Sequence, residues 1–469
     1  MYRRFKLTLV LFMVPLLAFN VTACSPKDVQ AVAPEPASGL AFSNVAVVHF
    51  ERDRGRIEAG QTVLIEKGRI TAIGTTAAMT IPDNFIHIDG SGHYLMAGLT
   101  EMHGHVPPAT SFAGIPERYL NDVLFMYVAN GVTTVRGMLG YPHQLQLKTD
   151  IASGKRIGPT LYLAGPSFNG NSIESPEKAT QRVIDQRNEG WDLLKVHPGL
   201  TLDEYRAMAK TARDANMEFA GHVPTEVGLE VALQEGQRTI DHLDGYLEAI
   251  DALNRSASRY EIDYLVDISL RYGVAVVPTQ ALWATIIGAN DTEQLRQYDE
   301  INYVPEQVRE SWFHYLDEPS LGYFNAQAAA IQQDNRQRLV KALYDRGVPM
   351  IFGTDAPQLF SVPGFSALRE IAMLQQAGIP LAGILHSATV AAGDYFAKHD
   401  SFGRVAEGQR ADLIFLRENP LENPQAIANH AGVMVAGRWL DRVAIDERLA
   451  EIRTAYMENP STNETQKAE

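Results

Sequence analysis

The sequence predicts an α/β protein: a (β/α)8, TIM-like barrel with a small discontinuous β-sandwich domain built from the N- and C-terminal flanks. Three observations carry this. Between residues 93 and 399, eight short apolar runs alternate with longer helical patterns. The flanks at 41–92 and 400–445 instead consist of β-branched runs broken by Gly, Asp and Pro. Polar residues able to do chemistry gather at the C-terminal ends of the eight runs, the functional rim of such barrels.

In chain order, the first element is a targeting segment. "MYRRFK" is basic, Leu7 to Phe19 is almost continuously apolar, and the small residues "TAC" follow. Residues 1–23 therefore read as a secretory signal, too short for a spanning helix. Cys24 is the sole cysteine, so no internal disulfide forms. "VTAC" resembles a relaxed bacterial lipobox, which implies a lipid-modified Cys24; Ser25 at the next position points to the outer membrane, and export to the cell envelope with a lipid anchor is the expected localisation. Residues 24–40, rich in Pro, Ala and Ser, read as a tether.

"NVAVVHF", "TVLIEKGRITAIG" and "FIHIDG" supply the first half of the β domain, and "GRVAEGQRADLIFL" with "GVMVAGRWL" the second. The eight barrel runs are "HYLMAGLTEMHGH", "TTVRGM", "TLYLAG", "DLLKVH", "EFAGHV", "TIDHL", "VAVVPT" and "PMIFGTDA". From 280 to 325 the alternation breaks into an aromatic, acidic insertion after the seventh run, expected to form a helical lid or pocket wall. The polar tail 457–469 reads as disordered.

Composition narrows the function. The chain has 469 residues, 45% of them hydrophobic, with 41 basic and 56 acidic side chains and a formal charge of −15. That excess repels phosphate backbones, and no basic stripe offsets it, so nucleic acid is excluded as a partner.

"AGLTEMHGHV" sets His103 and His105 on one face of a strand end, with Gly104 leaving room between them. Reading the other strand ends in the same way adds Lys195 on the fourth, His222 on the fifth, His242 on the sixth and Asp355 on the eighth. Singly, each has an ordinary structural explanation, such as an aspartate capping a helix. Lys195 within "DLLKVH" resists one, because a buried ammonium is costly unless it is paired or altered. Six such residues at one rim point to a metal site. Arg136 and His143 after the second run, His197 beside Lys195, and Tyr246 after the sixth are candidate substrate contacts. Arg136 would meet a carboxylate, and Tyr246 would donate to a carbonyl oxygen.

These motifs resemble the metal-dependent amidohydrolase superfamily, in its branch of imidazolonepropionase-related proteins and prolidase-like dipeptidases. "IDGSGHYLMAGLTEMHGH" resembles the family's first barrel strand, with Ala97 where proline is usual, and "FGRVAEGQRADLIFL" its returning β segment. The resemblance spans about 41–440. It implies two divalent ions, with Zn²⁺ expected, bridged by a CO2-carboxylated Lys195. His103, His105 and Asp355 would hold the more buried ion, and His222 and His242 the more exposed one. It further implies an amide hydrolase in which a hydroxide held between the ions attacks and Asp355 acts as base and then acid. The expected partner is a small amide or dipeptide-like molecule, with a homo-oligomer left open.

Three alternatives stand beside this one. A mononuclear deaminase of the same superfamily commonly has Glu three residues after the fifth-strand histidine, where this chain has Thr225. A cyclic amide or lactone hydrolase would use the same hydroxide. A non-catalytic envelope binding protein would not need all six residues.

Overall fold

In the computed structural model the described residues are 38–107, 115–116 and 118–457. The expected signal segment 1–23, Cys24, the expected tether up to residue 37 and the tail from 458 lie outside them. Among the described residues no helix is long and apolar enough to cross a membrane.

The chain first builds a sheet. β1 (Gly39–Phe50), β2 (Gly55–Glu66), β3 (Arg69–Thr75), β4 (Phe85–Asp89) and β5 (Tyr94–Ala97) come from the N-terminal flank. The barrel strands are β6 (Leu99–Gly104), β7 (Val132–Gly137), β8 (Thr160–Leu163), β9 (Leu193–Val196), β10 (Glu218–Gly221), β11 (Thr239–Asp241) and β12 (Ala275–Val277). The chain then returns to the first sheet with β13 (Leu413–Leu416), β14 (Gly432–Val435) and β15 (Arg438–Asp441). The two flanks meet where β13 pairs antiparallel with β5, Leu413 opposite Ala97. Phe42, Val45, Leu95, Leu413 and Met434 make that domain's own core.

The barrel closes in parallel throughout. β6–β7–β8 and β9–β10–β11–β12 form two arcs. Bridges from Ala164 to Leu193 and from Phe168 to Val196 join β8 to β9. Residues 350–355 fill the eighth strand position without regular strand geometry. Ile351 N–H donates to Val276 O on β12 at 3.0 Å, while Met102 N–H on β6 donates to Phe352 O at 2.9 Å. The sequence run "HYLMAGLTEMHGH" is in fact divided: Tyr94–Ala97 belongs to the β domain and only Leu99–Gly104 to the barrel. Gly98 marks the division, because a Cβ there would stand 2.2 Å from Thr133 Oγ1.

Helices outside the strands follow local signals. Thr201 with Glu204 and Ser258 with Glu261 form capping boxes for helices Leu202–Asp214 and Arg259–Tyr272. The insertion is helical, with segments Gln280–Ile286, Thr292–Arg296 and Glu306–Asp317. A final helix, Arg442–Met457, extends past the expected boundary of the β domain and reaches the first residue of the expected tail. Its Tyr456 hydroxyl donates to buried Asp122 at 2.5 Å.

Candidate active site

Six of the residues picked from the sequence converge. His103 on β6 lies 4.4 Å, ring to ring, from His242, and His242 lies 4.7 Å from His222. Lys195 Nζ is 3.0 Å from His103 Nε2. Asp355 reaches both sides of the cluster: Oδ1 is 2.6 Å from His105 Nε2 and 3.6 Å from His103 Nε2, and Oδ2 is 3.7 Å from His242 Nε2. Ligand atoms of His103, His105 and Asp355 all lie within 4.8 Å of one another, close enough to share one ion.

Each of three imidazoles is oriented by a partner at Nδ1. Asp241 Oδ2 takes His103 Nδ1–H at 2.7 Å, Asp244 Oδ2 takes His222 Nδ1–H at 2.6 Å, and Thr279 Oγ1 lies 2.7 Å from His242 Nδ1. Those bonds leave each Nε2 lone pair free, as metal ligation by neutral imidazole requires. His103 and His242 are held neutral, their pKa values driven well below the ordinary value, first by burial and then by neighbouring cationic groups. Glu101 braces the β6 end, accepting from His103 N at 3.0 Å and from Thr354 N at 2.8 Å. Burial pushes its carboxyl up to about 8.

The chain turns sharply as it leaves these strands. His242, Thr279 and Asp355 have φ of 63°, 43° and 61°. Left-handed backbone at non-glycine residues is strained, and here it occurs at three members of one cluster.

The donor set fits divalent ions. His242 Nε2 is buried and has no hydrogen-bond partner among the described residues. Lys195 is fully buried, and its one hydrogen bond among the described residues goes to an imidazole nitrogen. Burial, acting against the nearby Asp241 and Asp355, brings its amine down to about 8. An unpartnered lone pair and an amine with no ion pair among the described residues are costly to bury, and cations together with a carboxylated amine would satisfy them.

The four expected substrate contacts divide. His197 lies against the cluster, its ring stacked 5.1 Å from His222. Burial, then Lys195 and His222, lower its pKa strongly. His143 begins helix His143–Ala152 at the rim, with Nε2 buried and unpartnered among the described residues. Arg136 is a correction: it is wholly buried, and its guanidinium is taken up by Met102 O at 2.6 Å, Thr239 Oγ1 at 3.1 Å and Asp241 Oδ2 at 3.2 Å. No substrate carboxylate reaches it. Tyr246 is a second correction, since its buried hydroxyl pairs with Ser269 Oγ at 2.7 Å on helix Arg259–Tyr272 and has no donor left for a carbonyl.

Sequence reasoning missed Asp241, Asp244, Thr279, Glu101 and Trp283. Trp283, from the insertion, packs 5.3 Å from the His242 ring and 4.8 Å from Tyr323. These two aromatics, with Asp244, Glu248 and Arg336, line a cavity of about 180 Å³ beside the histidines. Glu248 is exposed to solvent yet lies among many protein atoms, as expected of a residue lining a concave wall; burial raises its pKa. Acids on both sides of the histidine in "IDHLD" were the available signal.

The barrel thus carries histidines at the ends of strands one, five and six, a buried lysine on strand four and an aspartate on strand eight. The chain belongs to the amidohydrolase family, whose signature matches residues 94–440. Among solved structures it is similar to bottromycin amidohydrolase, at 24% identity over 90% of this chain and 91% of that one, with a TM-score of 0.68. It is also similar to a Xaa-Pro dipeptidase with methionine bound in its active site, at 19% identity over 86% and 100%, TM-score 0.64. A third is A. niger ochratoxinase, at 16% identity over 87% and 96%, TM-score 0.63. At these identities the likeness is one of fold.

Proposed function

We propose that the protein is a binuclear metal-dependent amidohydrolase that cleaves the C–N bond of a small dipeptide-like or N-acyl amino acid substrate. The observation that carries this is Lys195: a buried amine whose hydrogen bond goes to His103, set among imidazoles and Asp355. With its pKa near 8 the amine is partly neutral at physiological pH. It can therefore add CO2, forming an N–C bond and releasing a proton, which turns a cation into an anionic bridge. His103, His105 and Asp355 would hold one ion, His222 and His242 the other, and carboxylated Lys195 both. Bound divalent ions supply Lewis acidity, making water a stronger acid and the scissile carbonyl a better electrophile.

The chain's own groups do the rest. Asp355, 2.6 Å from His105 Nε2 and 3.7 Å from His242 Nε2, would take the proton from the attacking water and deliver it to the leaving amine. Asp241, Asp244 and Thr279 keep the imidazoles aimed inward. Trp283 and Tyr323 exclude water from one flank and shape the pocket. Dipeptidase and amidohydrolase relatives of the same fold support the substrate class. The test is hydrolysis of a panel of dipeptides, N-acyl amino acids and lactones before chelation, after it, and after metal is restored. The expected result is amide cleavage lost to chelator and regained with metal. Chelator-resistant activity, or lactone cleavage alone, would contradict the proposal.

A further inference from the structure

Arg136 and Asp241 form an ion pair buried beneath the histidine cluster, with neither side chain exposed. Asp241 Oδ2 accepts from His103 Nδ1 at 2.7 Å and from Arg136 Nη2 at 3.2 Å, while Oδ1 accepts from Thr239 Oγ1 at 2.6 Å. Arg136 is itself fixed from a third side, since its Nε donates to Met102 O, one residue before His103, at 2.6 Å. The other three imidazoles lack such a support, and His105 Nδ1 has no partner at all among the described residues. Asp244, the partner of His222, lines the cavity, and His242 has only the Thr279 hydroxyl.

We propose that the Arg136–Asp241 pair is a positioning device for the more buried metal position, an assignment that rests on the metal site proposed above. Asp241 holds His103 as the Nδ1–H tautomer, so the Nε2 lone pair faces the ion, and its negative charge makes that imidazole a stronger ligand. Arg136 anchors the carboxylate. Its Nη2 donates to both Asp241 oxygens, at 3.3 and 3.2 Å. Its forked contacts stop the carboxylate from swinging up to become a competing ligand. Arg136 therefore acts on metal retention and has no role in binding substrate carboxylate. The pair carries two unit charges out of water, and a buried pair of this kind is weak evidence for a stabilising role.

The test is metal release from the zinc-loaded full chain into a chromophoric chelator, with the melting temperature of each metal-free variant measured in parallel. Asp241→Asn keeps the size of the side chain and loses its charge. One of the two ions should leave about 10- to 100-fold faster, and the other at the wild-type rate. Arg136→Lys, which retains charge without the fork, should give an intermediate acceleration. Release rates equal to wild type in both variants, with only a lower melting temperature, would show a structural role and overturn the inference. Should either variant fail to fold, nitrogen-15 spectra of histidine-labelled, zinc-loaded wild type decide: a protonated Nδ1 on His103 supports the inference and a bare one overturns it. A wild type that takes up no ion would instead defeat the metal site itself, an outcome distinct from unchanged release.

Discussion

Glu370 offers a prediction whose size follows from the structure. Its carboxylate is fully buried and accepts from Gln280 N at 2.9 Å and Ala281 N at 2.7 Å, at the start of the helix that carries Trp283. Burial outweighs those bonds and Arg336, pushing the carboxyl from 4.5 up to about 7. The folded state thus holds a proton that the unfolded chain has lost between these values. Glu370 is then at no disadvantage below pH 4.5, its contribution falls as pH rises toward 7, and it is constant above that. The full difference is roughly 3 kcal/mol. For a chain of 469 residues, that corresponds to a melting shift of about 3 °C. Glu370→Gln removes the titration. Melting curves of wild type and variant at pH 5, 6, 7 and 8 should show the wild type gaining about 3 °C on the variant as pH falls from 8 to 5. A constant difference, or a gain in the opposite direction, would mean that the helix N–H groups and Arg336 outweigh burial and would refute the reasoning.

Asp355→Asn should keep the ions, because the amide oxygen still ligates, while turnover falls by about 10²-fold or more; metal content and initial rates measured together check this. Gly221→Ala should lower both stability and metal content. The added Cβ would stand 2.5 Å from Val196 O and 2.9 Å from Lys195 Cδ, on a backbone with φ of +121°. The expected cost is about 1–3 kcal/mol in denaturant unfolding, and unchanged metal content would refute the link to Lys195. Trp283→Ala opens one wall of the cavity and should raise KM more than it lowers kcat, as progress curves on the best amide substrate would show.

The barrel was legible because chain alternation reports it, and the polar cluster because side chains at strand ends share one rim. His103, His105, Lys195, His222, His242 and Asp355 could be placed by strand position alone. Depth could not. Arg136 alternates onto the inward face of β7, yet it sits low enough for its guanidinium to reach Thr239 and Asp241, and no pattern in "TTVRGM" distinguishes that level from the rim. Tyr246 follows the sixth strand as a substrate contact might, but it begins a short helix that turns its ring to Ser269. Asp241 and Asp244 flank His242 in plain view, but their roles depend on two histidines, His103 and His222, that are distant in sequence. The eighth strand position lacks regular strand geometry and ends on a left-handed backbone at Asp355, and "PMIFGTDA" announces neither. Tyr94–Ala97 and Leu99–Gly104 read as one apolar run, and only the close approach of Gly98 to Thr133 separates two domains within it.

The proposed binuclear site depends on what the amine of Lys195 becomes. The most direct measurement is a crystal structure of protein purified in the presence of Zn²⁺ and bicarbonate, with metal content determined on the same sample. Two ions per chain, with continuous density for a carboxylate on Lys195 Nζ reaching both, is the predicted result. A single ion held by His103, His105 and Asp355 beside a bare ammonium would contradict it.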